Sequence, residues 1–344
     1  MGNTTWILAI GATFLLALQA CSHEPDLPDL ADNDPYPLVV PIGFPNPNSP
    51  DDNQPTNVRV AMGKKLFYDP ILSRDSSIAC ASCHLPQYAF SDTVAVSAGV
   101  DNQKGKRNSI ALFNMAYHPY YMREGGVPTL EMQVLAPISE HTEMDFNLLD
   151  AAKRLQNSAE YSDLSLRAYD RQPDAYVITR ALAAFERILL SGNSAYDQYT
   201  FQGKTDALSQ AARRGMALFD TLGCKNCHSG LNFTNYAFEN NGLYANYDED
   251  TGRGRLTYKA DDIGKFKVSS LRNIALTAPY MHDGSLPNLS AVIEHYATGL
   301  KNHPNQSPLL QPFSITDQEK ADLIQFLESL SDWDFVANPE FSHN

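Results

Sequence analysis

Positive charge is scarce in this chain. Lys and Arg total 26 against 40 Asp and Glu, a formal net charge of −14. That balance argues against nucleic acid and against an anionic membrane surface as partners, and it suits a basic protein partner. Tryptophan is almost missing, with only Trp6 and Trp333. Strand-like alternation is missing as well, so the expected fold is all-α with long irregular loops. An apolar run long enough to span a bilayer comfortably is not found in Trp6–Ala17, the mostly apolar stretch near the N-terminus. Cysteine is sparse too, at five residues, and four of them fall in two short motifs.

The first 20 residues carry no charged side chain and end in Leu18-Gln19-Ala20-Cys21. They read as an export signal over 1–20 of the lipoprotein type, with Cys21 as the lipidated first residue of the mature chain. The other reading is an ordinary signal peptide with a free cysteine nearby. Both export the protein, with a periplasmic, membrane-anchored location expected from the first. No Lys or Arg precedes the apolar run, a departure from the usual signal pattern. Residues 21–56 follow as a Pro/Asp-rich tether, where Pro28, Pro35, Pro37, Pro41, Pro45, Pro47, Pro50 and Pro55 forbid regular helix. Within it, the more apolar Tyr36–Phe44 is expected to pack on the body.

The two motifs are Cys80-Ala81-Ser82-Cys83-His84 and Cys224-Lys225-Asn226-Cys227-His228. Cys-x-x-Cys-His is the pattern of covalent c-type heme attachment: two thiols add to the heme vinyl groups, and the adjacent histidine ligates iron. A disulfide, a thioredoxin-type redox pair and a split zinc site are the alternatives. None of them needs the following histidine twice. Each motif is preceded by G-x-x-L-F, at Gly63–Phe67 and at Gly215–Phe219. Each is followed by an amphipathic L-x-x-F-x-x-x-L helix, Leu182–Leu189 within a helix over Ala175–Leu190, and Leu323–Leu330 in a helix starting at Thr316. Thr316 and Glu319 form a capping box. The chain is long enough for two cores. Two cytochrome c-like heme domains are therefore expected, at 57–200 and 201–335, with their boundary near Asn193–Ala207.

With those motifs stand Arg107-Asn108-Ser109 through Asn114, Leu130-Glu131-Met132-Gln133 through Glu143-Met144, and Leu271-Arg272-Asn273 through Pro279-Tyr280-Met281-His282-Asp283-Gly284. In these stretches the sequence resembles the bacterial diheme cytochrome c peroxidase family, MauG-like subgroup, over about Tyr36 to Ser331. The resemblance implies two heme c groups. The first, on His84, would react with hydrogen peroxide, with Gln133 and Glu143 as the distal pair and His141 as the alternative acid/base. The second, on His228, would take Tyr296, fourteen positions after His282, as its other ligand. Met281 and His295 are the alternatives if Tyr296 is only a packed aromatic. Arg272 and His282 would hold heme propionates. Calcium would bind between the domains through the Asn108 side chain and the Thr277 and Pro279 carbonyls, completed by water.

Two departures from that family carry consequences. Many members cap the first iron with a histidine in the loop corresponding to Gly99-Val100-Asp101. Here no histidine lies between His84 and His118, so a five-coordinate or water-ligated first heme is expected. Members also relay electrons through a tryptophan ten residues before Gln133, where this chain has Arg123. Tyr117, Tyr120 and Tyr121 are substitutes for that relay or simply core aromatics. The resulting reading is a peroxidase fed by a small cytochrome or cupredoxin. The alternatives are a MauG-like oxidase acting on a partner protein, and a pure electron-transfer diheme cytochrome.

Overall fold

The computed structural model describes residues 1–2 and 33–343; the expected signal segment and Cys21 lie outside the described residues. The chain is mostly helical, and the only named strands among the described residues are the two-residue pair β1 (Phe238–Glu239) and β2 (Phe266–Lys267). Among the described residues no helix is long and apolar enough to cross a membrane.

Each half is built on one helix crossing. In the first, α1 (Asn57–Tyr68) lies across α2 (Ala175–Ile188). In the second, α3 (Gln210–Thr221) lies across α4 (Asp317–Glu328). The G-x-x-L-F glycine sits at each crossing point. A Cβ on Gly63 would collide with the Ala181 carbonyl, and one on Gly215 with the Asp322 carbonyl. Glycine is thus required by backbone approach. The phenylalanine one turn on meets the phenylalanine of the partner helix, Phe67 against Phe185 and Phe219 against Phe326, both with ring centroids 5.2 Å apart. Gly63→Val is expected to prevent the α1–α2 approach and to cost several kcal/mol, about 3 or more. A thermal melt of the heme-loaded protein checks this, and an unchanged midpoint would refute it.

The expected helix starts hold, but both helices end early: α4 stops at Glu328, so Leu330 lies beyond it. Thr316 caps α4, with the full capping box to Glu319. The helix from Ala175 ends at Ile188 rather than Leu190. There the Leu189 carbonyl leaves the helix ladder and accepts the Asn114 N–H at 2.8 Å.

That contact belongs to the junction between the halves. Asn114 and Asn273 both have left-handed backbones, at φ 56° and 55°. Their side chains converge on Ser191, Asn114 Nδ2 on its carbonyl (2.8 Å) and Asn273 Nδ2 on its hydroxyl (2.9 Å). The Asp332 carboxylate accepts the backbone N–H groups of Gly192 and Asn193. The chain after α4 then returns to the first half, where Phe335 and Phe341 join its core. The Tyr36–Phe44 segment does pack on the body: Pro41 and Phe44 cover Gly192, and the Arg272 guanidinium lies 4.7 Å from the Phe44 ring centre.

Candidate heme sites and the junction between them

At the first motif, the short helical turn Cys80–Ser82 presents both thiols, neither in a disulfide. The His84 Nδ1 meets the Phe90 carbonyl at 2.9 Å. A carbonyl only accepts, so that contact puts the proton on Nδ1 and leaves Nε2 as a lone-pair donor. Burial lowers the His84 pKa, favouring the neutral ring that a metal needs. The second motif repeats this. His228 Nδ1 lies 3.2 Å from the Phe233 carbonyl and 3.1 Å from the Ser269 carbonyl, and burial again lowers its pKa. Among the described residues no cluster of three His, Cys, Asp or Glu side chains gathers at either motif, as a zinc site would require. Free thiol pairs, each with a neutral, oriented imidazole, fit heme c.

Glu143 follows the short helices Leu130–Gln133 and Leu135–Ser139. Burial raises the Cys80 and Cys83 thiols, and the Glu143 carboxylate adds a smaller electrostatic push to both. Glu143 as a whole residue is exposed to solvent. Protein nevertheless surrounds the carboxyl, and this desolvation, aided by the negative Glu140, raises its pKa above the usual carboxylate range. The Gly99–Val100 loop is pinned on its backbone: the Val100 N–H donates to the Glu143 carbonyl at 2.8 Å, and a Cβ on Gly99 would strike that same carbonyl. No side chain of any kind fits at residue 99. Gln133 ends the first of the short helices and is half-buried. His141 is exposed, and its Nδ1 lies 3.0 Å from the Asp145 carboxylate.

Sequence reasoning did not single out Glu186 of α2. It is buried, with Oε2 unpartnered, and near Cys80. Burial pushes its carboxyl up to about 8, against the pull of Arg187.

The second motif opens on a cavity of about 320 Å³ lined by Cys224, Cys227, His228, Met281 and Tyr296, among others. Tyr296 lies in a π-helical turn, His295–Gly299, directly after the helix Leu289–Glu294. Such turns are often found at functional sites because the extra residue redirects a side chain. Burial pushes the Tyr296 phenol up to about 12, opposed by a hydrogen bond from Asn241. His295 is buried and spends Nε2 on the Asn241 carbonyl at 2.9 Å. The Met281 sulfur faces the Asn241 amide at 3.2 Å.

The same cavity runs to the junction, where Asn108, Thr277, Pro279, Arg123, Lys267 and His282 also line it. His282 stacks on Phe266 (centroids 4.1 Å apart), and burial lowers it to about 4, so it offers a neutral N–H. Arg272 is bound on both arms to Asp197, at 2.8 and 2.9 Å, with its Nε on the Leu231 carbonyl. The Asn108 amide oxygen faces Arg123 Nη2 at 3.3 Å, and its carbonyl accepts from the same nitrogen at 2.8 Å. A guanidinium on the expected ligand oxygen does not fit a hard dication there.

The relay question also takes a shape. Trp333 is 65% exposed on the short helix Trp333–Val336, so most of its ring faces solvent. Tyr121 is buried in the first core with its hydroxyl on the Met115 carbonyl. Tyr117 packs on Phe44. Only Tyr120 crosses to the second half, stacked on Phe238 at 5.1 Å.

Two unpaired Cys-x-x-Cys-His motifs, each attached to a Gly/Phe helix crossing, define a diheme c-type cytochrome. The family model for di-haem cytochrome c peroxidase matches residues 57–206, and that for cytochrome c matches 212–331. The methylamine utilization protein MauG of Methylorubrum extorquens is 35% identical over 295 residues, covering 84% of this chain and 82% of its own. The cytochrome-c peroxidase IdrP1 of a Pseudomonas species is 32% identical, covering 87% of this chain and 86% of its own. A solved MauG-like protein associated with microbial copper homeostasis superposes with TM-score 0.84 at 32% identity, covering 89% of this chain and 99% of that one. The chain belongs to the di-haem cytochrome c peroxidase family.

Proposed function

We propose that this protein is an exported peroxidase. It reduces hydrogen peroxide to water at the His84 heme with electrons delivered through the His228 heme from a small cytochrome or cupredoxin. The observation that carries the reading is Glu143, a carboxyl of raised pKa whose backbone is pinned by Val100 and packed against Gly99, where no side chain has room.

Heme c, when bound, supplies the iron that accepts peroxide and the redox equivalents for its cleavage. The chain supplies the rest. His84 and His228 would ligate the heme irons, each ring kept neutral and oriented by backbone carbonyls. Glu143 takes the proton from the near oxygen of peroxide and returns it to the far oxygen, so that water departs. Gln133 orients the peroxide through its amide. Two electrons from the donor and two protons from solvent convert one peroxide into two waters. The Gly99–Val100 loop carries no histidine, so it would supply no side-chain ligand to a heme held on His84, and no reductive activation would be needed. Tyr296 would be the second ligand to a heme held on His228, and His282 and Arg272 would lie near its propionates. The domains divide as 57–200 and 201–335. Export takes a lipid-anchored form through Cys21, placing the enzyme in the periplasm. No step draws on calcium.

One observation favours a second reading. Tyr296 shares the cavity of His228, while His295 is engaged elsewhere. An anionic phenolate stabilises oxidised iron, which suits holding oxidising equivalents for a partner protein, as a MauG-like oxidase would. Steady-state turnover of peroxide with a reduced small cytochrome separates the two. Rapid donor oxidation is expected of the peroxidase. Peroxide consumption that leaves a lasting spectral change without donor turnover would favour the oxidase. No reaction with peroxide would leave only electron transfer.

A further inference from the structure

We propose that the guanidinium of Arg123 stands where the family resemblance implies a calcium ion, so that the junction is held by a cation built into the chain and binds no calcium. A sequence repeat links the two halves. Leu112-Phe113-Asn114 recurs as Leu271-Arg272-Asn273, and Tyr121-Met122-Arg123-Glu124-Gly125 recurs as Tyr280-Met281-His282-Asp283-Gly284, at one constant offset. The backbone follows it. Tyr121 pairs with Val127 as Tyr280 pairs with Leu286, Met122 and Met281 both have positive φ, and so do Gly125 and Gly284. On this offset Arg123 corresponds to His282 and Asn108 to Lys267. The halves then clasp each other reciprocally: the Asn108 N–H donates to the His282 carbonyl at 2.9 Å, and the Lys267 N–H to the Arg123 carbonyl at 2.6 Å.

Within this clasp Arg123 reaches back to Asn108. Its Nη2 donates to the Asn108 carbonyl at 2.8 Å and faces the amide oxygen at 3.3 Å. The amide nitrogen of Asn108 is used on the Val94 carbonyl, which fixes its oxygen toward Arg123. A calcium ion seeks that oxygen at about 2.4 Å, within a few ångströms of a fixed positive charge. The surroundings do not relieve the conflict. Lys267 directs its ammonium to the Tyr120 carbonyl (3.1 Å) and His118 (3.4 Å), with no carboxylate partner among the described residues. Of the carboxylates that act on Arg123, Asp283 accepts the Tyr244 hydroxyl, Glu124 is taken by Arg107 and Arg255, and Asp250 by Arg107. Among the cavity's lining residues Glu239 is the only carboxylate, against Arg123, Lys267 and the already paired Arg272. Arg123 Nε is buried without a partner. A positive cavity with a spare buried N–H accepts a carboxylate, such as a propionate of resident heme, and opposes a dication.

The test is calcium content. The heme-loaded protein is equilibrated with calcium chloride, desalted and assayed by elemental analysis, beside thermal melts in calcium and in EGTA. The expected result is no bound calcium and superimposable melts. About one calcium per chain, or a melt lowered by EGTA, would overturn the proposal. Arg123→Gln, which removes the charge and keeps an amide, is expected to gain calcium and an EGTA-sensitive melt. If that variant folds and still binds none, Arg123 is not what excludes calcium, and the proposal fails on that side. If it does not fold, the wild-type measurement still decides.

Discussion

Glu143→Gln is expected to lower peroxide turnover by about 10²–10⁴-fold, the usual contribution of a positioned acid/base group. The visible spectra of both hemes should persist, because Glu143 lies outside both Cys-x-x-Cys-His motifs. The substitution keeps shape and removes the titrating proton. The pH dependence follows from the direction of the Glu143 shift. Desolvation first, and Glu140 second, raise its folded-state pKa. Glu143 must be ionised to accept the peroxide proton. Activity should therefore fall with decreasing pH through that raised value, at a higher pH than an ordinary glutamate would give. In the glutamine variant this acid limb should disappear. Steady-state rates across pH read both effects. A variant that keeps wild-type turnover, or retains the same limb, would remove Glu143 from the chemistry.

Tyr296→Met is expected to change the second heme more than any other single substitution outside the motifs. Replacing an anionic oxygen ligand by a neutral thioether favours the reduced iron, and the potential of that heme should rise on the order of 10² mV. The variant should then be reducible by mild reductants at one heme while the first heme is unaffected. Tyr296→Phe gives the complementary case, with the ligand lost and the second heme's spectrum altered. Spectroelectrochemistry of both variants checks this. If both match wild type, Tyr296 is only a packed aromatic in its π-helical turn.

Much of the scaffold was legible in the sequence. The two G-x-x-L-F segments and the two L-x-x-F-x-x-x-L helices were readable as a pair because helix crossing at close range demands glycine, and Gly63 and Gly215 do lie on the backbones of α2 and α4. The Thr316 cap was legible because its chemistry is local. The end of α2 was less so: Leu189 leaves the helix to serve Asn114, a contact between segments far apart in the chain.

The site divides along the same line. The motif histidines read directly from spacing, and their orientation comes from carbonyls only a few residues on. Glu186 did not read, because its burial depends on the whole first core. Arg123 read only as a missing tryptophan. Its role at Asn108 depends on the folding of the two halves against each other. The constant offset between Tyr121–Gly125 and Tyr280–Gly284 was the available signal, since it pairs Arg123 with a residue already suspected of facing a heme.

The central claim is that the two hemes are unequal, the one on His84 open and the one on His228 closed. The most direct measurement is the resting electron paramagnetic resonance and visible spectrum of the oxidised protein, before and after one equivalent of hydrogen peroxide. The account predicts one high-spin and one low-spin heme at rest, with peroxide changing the high-spin signal at once and without prior reduction. Two low-spin hemes, unchanged by peroxide until the protein is reduced, would contradict it.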